Sequence, residues 1–144
     1  APLIVEVKVE DNAEALSHAV YERMKRYDAP WCLESFMPGA VEWFRQNAPE
    51  VIRGQLAFDH AGTGKTAFLF WRNIGIASML QNFASRPDFV AFEAKSVKWH
   101  SLPVHLLRLM KPWFVAWTVR SQEDMDKQRG KWDLQIFEKF EARK

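Results

Sequence analysis

Six short apolar runs alternate with helix-patterned segments along this chain, and no other feature narrows its fold as much. Strand patterns lie at Leu3–Lys8, Trp31–Phe36, Val51–Phe58, Asp88–Phe92, Trp113–Val119 and Leu134–Phe137. Helices are predicted between them: from about Ala13 to Tyr27, from Pro38 to a stop at Pro49, from Thr66 to about Ala84, from Pro103 to Met110, and from Ser121 to near Gly130. Strand and helix in regular succession, with repeats of about 20–35 residues, is the pattern of consecutive βαβ units and a parallel sheet. A doubly wound sheet and a barrel both satisfy it. The doubly wound form would carry a glycine-rich turn after its first strand when it binds a dinucleotide. Here Val9-Glu10-Asp11-Asn12 follows, with no glycine, which argues against such a site.

Local signals set the helix ends. Asp11 and Glu14 have capping-box spacing before the first helix, whose predicted buried stripe is Leu16, Ala19, Val20, Met24 and Tyr27. Pro38 opens the second helix, which carries Val41 and Phe44, and Ser121 is the expected cap of the fifth.

The first strand is unusual in its charge. Leu3, Val5, Val7 and Val9 fall on one face, and Ile4, Glu6 and Lys8 on the other. Strands of parallel sheets are covered on both faces. Burying unpaired charge costs several kcal/mol, roughly, so Glu6 and Lys8 are expected to form an internal ion pair or part of a site. An edge strand with its polar face in water is the simpler alternative. In parallel α/β folds, functional residues gather at the C-terminal ends of the strands. That rule nominates Glu6, Lys8, Ser35, Phe36, Trp117, Thr118 and Arg120.

Composition excludes several classes. At 144 residues the chain has one domain's length, and its 48% apolar and 26% charged residues are those of a soluble globular protein. A net charge of +2, with scattered Lys and Arg, does not suggest nucleic acid. The single Cys32 excludes an internal disulfide and a multi-cysteine zinc site, which fits a reducing compartment; cytoplasmic localisation is expected. The chain opens on a strand pattern rather than a signal-peptide pattern. Its longest apolar stretch, Ala67 to Leu80, is interrupted by Arg72 and Asn73 and is too short to span a bilayer. Residues 67–83 carry too many large apolar side chains for one buried stripe, among them Phe70 and Trp71. They form either a deep core helix or a lid that touches a membrane transiently.

Gly62-Thr63-Gly64-Lys65-Thr66 ends like a phosphate-binding loop. The first glycine of that loop is replaced by Asp59, whose carboxylate would repel a triphosphate, and a plain turn is the simpler reading. His18, His60, His100 and His105 have no partners at metal-ligand spacing. Cys32, on an apolar strand, reads as a small core residue.

Pro2-Leu3-Ile4-Val5-Glu6-Val7-Lys8 resembles the middle-strand motif of the glycerophosphodiester phosphodiesterase family, an apolar run ending in Glu-x-Lys. Glu34-Ser35-Phe36 followed by Pro38 is similar to a later strand end of that family, and Ala48 to Leu56 and Arg86 to Val90 look like its next two strands. Val115-Ala116-Trp117-Thr118-Val119-Arg120 resembles its most recognisable late motif, and Ile136-Phe137-Glu138 a closing strand. The pieces follow in family order along essentially the whole chain.

The resemblance implies parallel βα units of a TIM-type barrel, incomplete, with residues 1–144 as the C-terminal portion of one barrel domain. It implies metal-dependent hydrolysis of a glycerophosphodiester to glycerol 3-phosphate and an alcohol. Glu6 matches a metal-binding carboxylate, for Mg²⁺ or Ca²⁺. Lys8 matches a lysine on the substrate phosphate, and Phe36 and Trp117 match aromatic residues near the glycerol pocket. The family's His-Arg-Gly, Glu-x-Asp and His-Asp motifs, which carry the acid–base histidines and the other metal ligands, are absent: the four histidines precede Ala, Ala, Ser and Leu. The chain is therefore expected to be inactive alone, with weak or no metal binding. It should form a homodimer or associate with the missing N-terminal half. A non-catalytic open α/β binding module is the alternative.

Overall fold

The computed structural model describes residues 1–9, 11–57, 82–94 and 102–143. The phosphate-loop-like segment, His60, His100 and nearly all of the predicted helix over 66–84, with the proposed membrane contact at 67–83, lie outside the described residues.

Six strands form one sheet: β1 (Leu3–Glu6), β2 (Trp31–Ser35), β3 (Ile52–Ala57), β4 (Phe89–Glu93), β5 (Trp113–Val119) and β6 (Leu134–Phe137). They pair in sequence order, and every pair is parallel. A doubly wound sheet reverses direction at a switch point. This sheet never reverses, so it follows the course of a barrel wall. The described helices are α1 (Ala13–Met24), α2 (Pro38–Asn47), α3 (Asn82–Ser85), α4 (Leu102–Met110) and α5 (Gln122–Lys127).

The alternation of each strand separates two apolar layers. On the convex side, Leu33 meets Phe44, Ala48 and Val51 beneath α1 and α2. Farther along, Val90, Phe92, Phe114 and Ala116 pack with Val104 and Leu107 of α4 and with Trp132. Pro38 starts α2 with a preset φ, and Val41 and Phe44 are fully buried. Burying a side chain such as Phe44 is worth about 1.5–3 kcal/mol. On the concave side, Leu56, Phe89, Ala91 and Val115 form the inner layer, joined by Cys32, Phe36, Trp117 and Ile136.

The start of α1 departs from expectation. Asn12, rather than Asp11, is the cap, its side-chain oxygen accepting from the Ala15 N–H at 2.9 Å. The inward stripe is also rotated. Ser17 is fully buried, while Leu16 and Ala19 are exposed. Val20 and Tyr21 are the α1 residues that pack on the α2 core, so the helix turns a more polar side inward than its leucine suggests. Ser121 caps α5 as expected, accepting from Asp124 N–H at 3.1 Å.

The concave layer is open toward the strand starts. Ile4, Ile52, Trp113 and Leu134 share that face by register and are 52%, 55%, 60% and 51% exposed. Among the described residues, no helix is long and apolar enough to cross a membrane.

Candidate functional site

The ends of β1 and β2 are held together beyond their regular ladder. Glu6 pairs with Glu34, and the next N–H, from Val7, donates to the Glu34 carbonyl at 2.8 Å. The buried Ser35 hydroxyl donates to the Val7 carbonyl at 2.6 Å and accepts from the Met37 N–H at 3.1 Å. Ser35, nominated from its place at a strand end, thus fixes backbone, on the face opposite the site. Cys32 shares the concave face, so Glu34 and Phe36 do too, and in β1 so do Ile4 and Glu6, with Lys8 two residues past the strand end.

Lys8 Nζ lies 3.4 Å from Glu6 Oε2. The expected pair therefore exists, on the inner side of the sheet. It is not enclosed: the side chains of Lys8 and Glu6 are 77% and 33% exposed, because β1 is an edge with no strand beyond it among the described residues. An exposed pair of this kind contributes about 0–1 kcal/mol to stability.

Glu34 was not singled out from sequence, yet its electrostatics are the most perturbed of the described residues. Its carboxyl is pushed up to about 7, by burial first and by the charge of Glu6 second. The β3 neighbour of Glu34 offers it no polar side chain. Gly54 is the register partner of both Glu34 and Phe89, and a methyl group on Gly54 would overlap the Phe89 ring. The Phe89 ring thus lies over Gly54, the β3 residue in register with Glu34. Glu34 Oε2 is buried with no hydrogen-bond partner among the described residues. Burial, then Glu34, also raises the thiol of the neighbouring Cys32, so that cysteine is no activated nucleophile.

Phe36 and Trp117 converge. Their ring centroids lie 5.7 Å apart in an edge-to-face arrangement. Two anchors hold them. The Trp117 indole Nε1–H donates to the Ala91 carbonyl at 2.9 Å. The buried Gln55 amide donates to the carbonyls of Ser35 at 2.9 Å and Phe36 at 3.1 Å, fixing the chain just past β2. Gln55 also escaped sequence reasoning; its signal was a long polar residue directly before the apolar end of its strand, Leu56-Ala57.

At the far side of the mouth, Arg120 Nε donates to Glu138 at 2.8 Å and holds the Glu138 carboxyl below the usual carboxylate range. Arg120 is thereby committed to joining the ends of β5 and β6. A cavity of about 210 Å³ opens beside it, lined among others by Glu93, Trp117, Thr118 and Asp124. The described histidines stand elsewhere: His18 and His105 lie exposed on α1 and α4, with His18 edge-on to Trp43 at 6.1 Å between centroids.

The described residues offer a divalent cation a partial set of ligands. Glu6 and Glu34 place two carboxylates side by side, with one oxygen orphaned, and hard cations take carboxylate oxygens. No described group of three or more His, Cys, Asp or Glu is arranged around a common point, so a cation held here would keep much of its water.

No protein-family model matches this chain, and no curated protein does. Its fold is similar to that of three solved structures. A glycerophosphodiester phosphodiesterase from Parabacteroides distasonis superposes with a TM-score of 0.67 at 16% identity, over 94% of this chain and 52% of the other. A putative glycerophosphoryl diester phosphodiesterase from Silicibacter pomeroyi gives 0.64 at 16% identity, over 93% and 45%. A phosphodiesterase from Oleispira antarctica, in complex with the product sn-glycerol-3-phosphate, gives 0.61 at 15% identity, over 92% and 49%. The chain spans about half the length of each. Its six parallel strands in unbroken order are a partial barrel with the fold of the glycerophosphodiester phosphodiesterases, the family its sequence motifs resemble.

Proposed function

We propose that this chain is part of a metal-dependent phosphodiesterase that hydrolyses glycerophosphodiesters to glycerol 3-phosphate and an alcohol. The observation that supports this best is the meeting of Phe36 and Trp117 at the same strand ends that carry Glu6 and Lys8. In this reading Glu6 holds Mg²⁺ or Ca²⁺, and the cation when bound polarises the phosphoryl group as a Lewis acid. Lys8, on a long exposed stem, neutralises phosphate charge as it develops. The Phe36 and Trp117 rings wall the glycerol carbons, and their anchors keep that wall from shifting.

The chain contains no His-Arg-Gly and no His-Asp motif. Losing a general acid or base costs about 10²–10⁴ in rate each. We therefore propose that the 144-residue chain is inactive alone, that its open concave face is covered by a second copy or by the remaining barrel segments, and that the parent serves lipid metabolism. The lone free Cys32 suits a cytoplasmic setting, and residues 67–83 remain the proposed point of membrane contact.

The coding sequence ahead of Ala1 tests the reading. His-Arg-Gly and Glu-x-Asp in frame would support it. A reading frame without them would leave a non-catalytic α/β module. Incubation of the chain with glycerophosphocholine and Mg²⁺ tests inactivity: no glycerol 3-phosphate above a protein-free blank is expected, and release abolished by Glu6→Ala would contradict it.

A further inference from the structure

The concave site draws its parts from the ends of two strands. Lys8 lies two residues past β1, and Phe36 directly follows β2. We infer that Ser35 and Gln55, buried on the opposite face of the sheet, are positioning residues for this site: Ser35 sets the arm that carries Lys8, and Gln55 sets the Phe36 ring. The inference rests on the proposed recognition of a glycerol phosphate group and adds to it two residues that touch no substrate.

β1 is an edge strand, and its regular pairing ends with Glu6 and Glu34. Past that point Val7 holds the chain to β2. Its N–H donates to the Glu34 carbonyl at 2.8 Å, and its carbonyl accepts from the Ser35 hydroxyl at 2.6 Å. Val7 stands between Glu6 and Lys8, so fixing its peptide groups fixes the backbone from which both side chains depart. Ser35 is fully buried, and its hydroxyl oxygen also accepts from the Met37 N–H at 3.1 Å, which orients the hydroxyl from both sides.

Gln55 is also buried, and its amide nitrogen donates to the carbonyls of Ser35 at 2.9 Å and Phe36 at 3.1 Å. Its Oε1 is buried with no hydrogen-bond partner. A half-satisfied buried amide is costlier than an apolar residue of similar shape. Burial alone would favour Met or Leu here; what glutamine supplies instead is a pair of donors aimed at the backbone that carries Phe36. Ser35 belongs to both sets, since its hydroxyl holds the end of β1 and its carbonyl is held from β3. The two residues thus tie three strands into one unit and fix the spacing between the Lys8 amine and the aromatic wall. Such spacing matters: a misplacement of about 1 Å can cost about 10²-fold in rate.

NMR titration of the full chain with glycerol 3-phosphate and with inorganic phosphate separates the two roles. Ser35→Ala should weaken both ligands by about tenfold, the lower end for a hydrogen bond to a charged group, because Lys8 holds both. Ser35→Thr keeps the hydroxyl and should restore them. Gln55→Met should weaken glycerol 3-phosphate by about 4–15-fold, the worth of one or two covered methylenes, and leave inorganic phosphate unchanged. Retained phosphate binding then also reports that this variant is folded. Merely structural residues would lower both ligands in step with the thermal midpoint in both variants, and that pattern would overturn the inference. Native affinities in either Ser35→Ala or Gln55→Met would overturn it as well. A native chain that binds neither ligand would remove the proposed function, and the ligand-free chain then decides the inference. Nuclear Overhauser contacts between the Phe36 and Trp117 rings should vanish in Gln55→Met, and those between the Lys8 and Glu6 side chains in Ser35→Ala. Either contact left intact would count decisively against it.

Discussion

Trp117 and Phe36 meet edge to face with ring centroids 5.7 Å apart, although β3 and β4 lie between their strands. Neighbouring strands are about 4.8 Å apart, so a flat sheet would hold residues three strands apart well beyond contact. Their meeting shows how far the sheet curls, and it makes a continuous aromatic wall from residues 81 positions apart in sequence (117 − 36).

The indole anchor of that wall has a measurable worth. Trp117→Phe removes the bond to the Ala91 carbonyl and keeps most of the ring. It should cost about 0.5–1.5 kcal/mol of stability, read by urea denaturation. An unchanged midpoint would show that water replaces the indole at no cost.

Glu34 should make stability depend on pH. Its folded-state value of about 7 lies above the ordinary 4.5, so the folded chain holds this proton more tightly than the unfolded one. The contribution is complete below about 4.5 and is lost as pH rises through about 7. Glu34→Gln should therefore stabilise the chain at pH 8 by about 1–2 kcal/mol, discounted for partial exposure, and change little at pH 4. Equal effects at both pH values would refute the assignment.

Gly54 is required by close approach rather than by backbone conformation. A side chain there must displace the buried Phe89 ring. Gly54→Ala should destabilise the chain by about 1–3 kcal/mol, the range for overpacking, and expose Glu34 to water. Its thermal midpoint and the Glu34 titration, followed by carboxyl carbon NMR, should fall together.

The half-exposed Ile4, Ile52, Trp113 and Leu134 point to a covered concave face. Sedimentation should show a dimer, or a complex with another barrel segment, burying well over about 1,000 Å². A stable monomer at tens of micromolar would contradict it.

Much of this was readable from sequence because period and position carry it. The alternation of Glu6 against Val5 put its carboxylate on the concave face, and the βαβ spacing made the sheet parallel, while the unbroken strand order came with the family resemblance, since spacing alone left a doubly wound sheet open. Glu34 was missed because its segment was read as a motif rather than as a face; counting back by two from Phe36 reaches Glu34 and Cys32. The closed surroundings expected for Glu6 and Lys8 did not follow, since covering an edge depends on strands that periodicity within β1 cannot report. In α1 the capping role fell to Asn12 rather than Asp11 because the helix begins one residue later than the spacing of Asp11 and Glu14 suggested.

The central claim is that this concave mouth recognises a glycerol phosphate group. A ¹H–¹⁵N NMR titration with glycerol 3-phosphate tests it most directly. The account predicts a saturable shift of the Trp117 indole N–H, with neighbouring shifts at Phe36 and Lys8, and its loss in Lys8→Ala. An indole resonance that stays fixed at saturating ligand, or a shift that persists undiminished in Lys8→Ala, would contradict it.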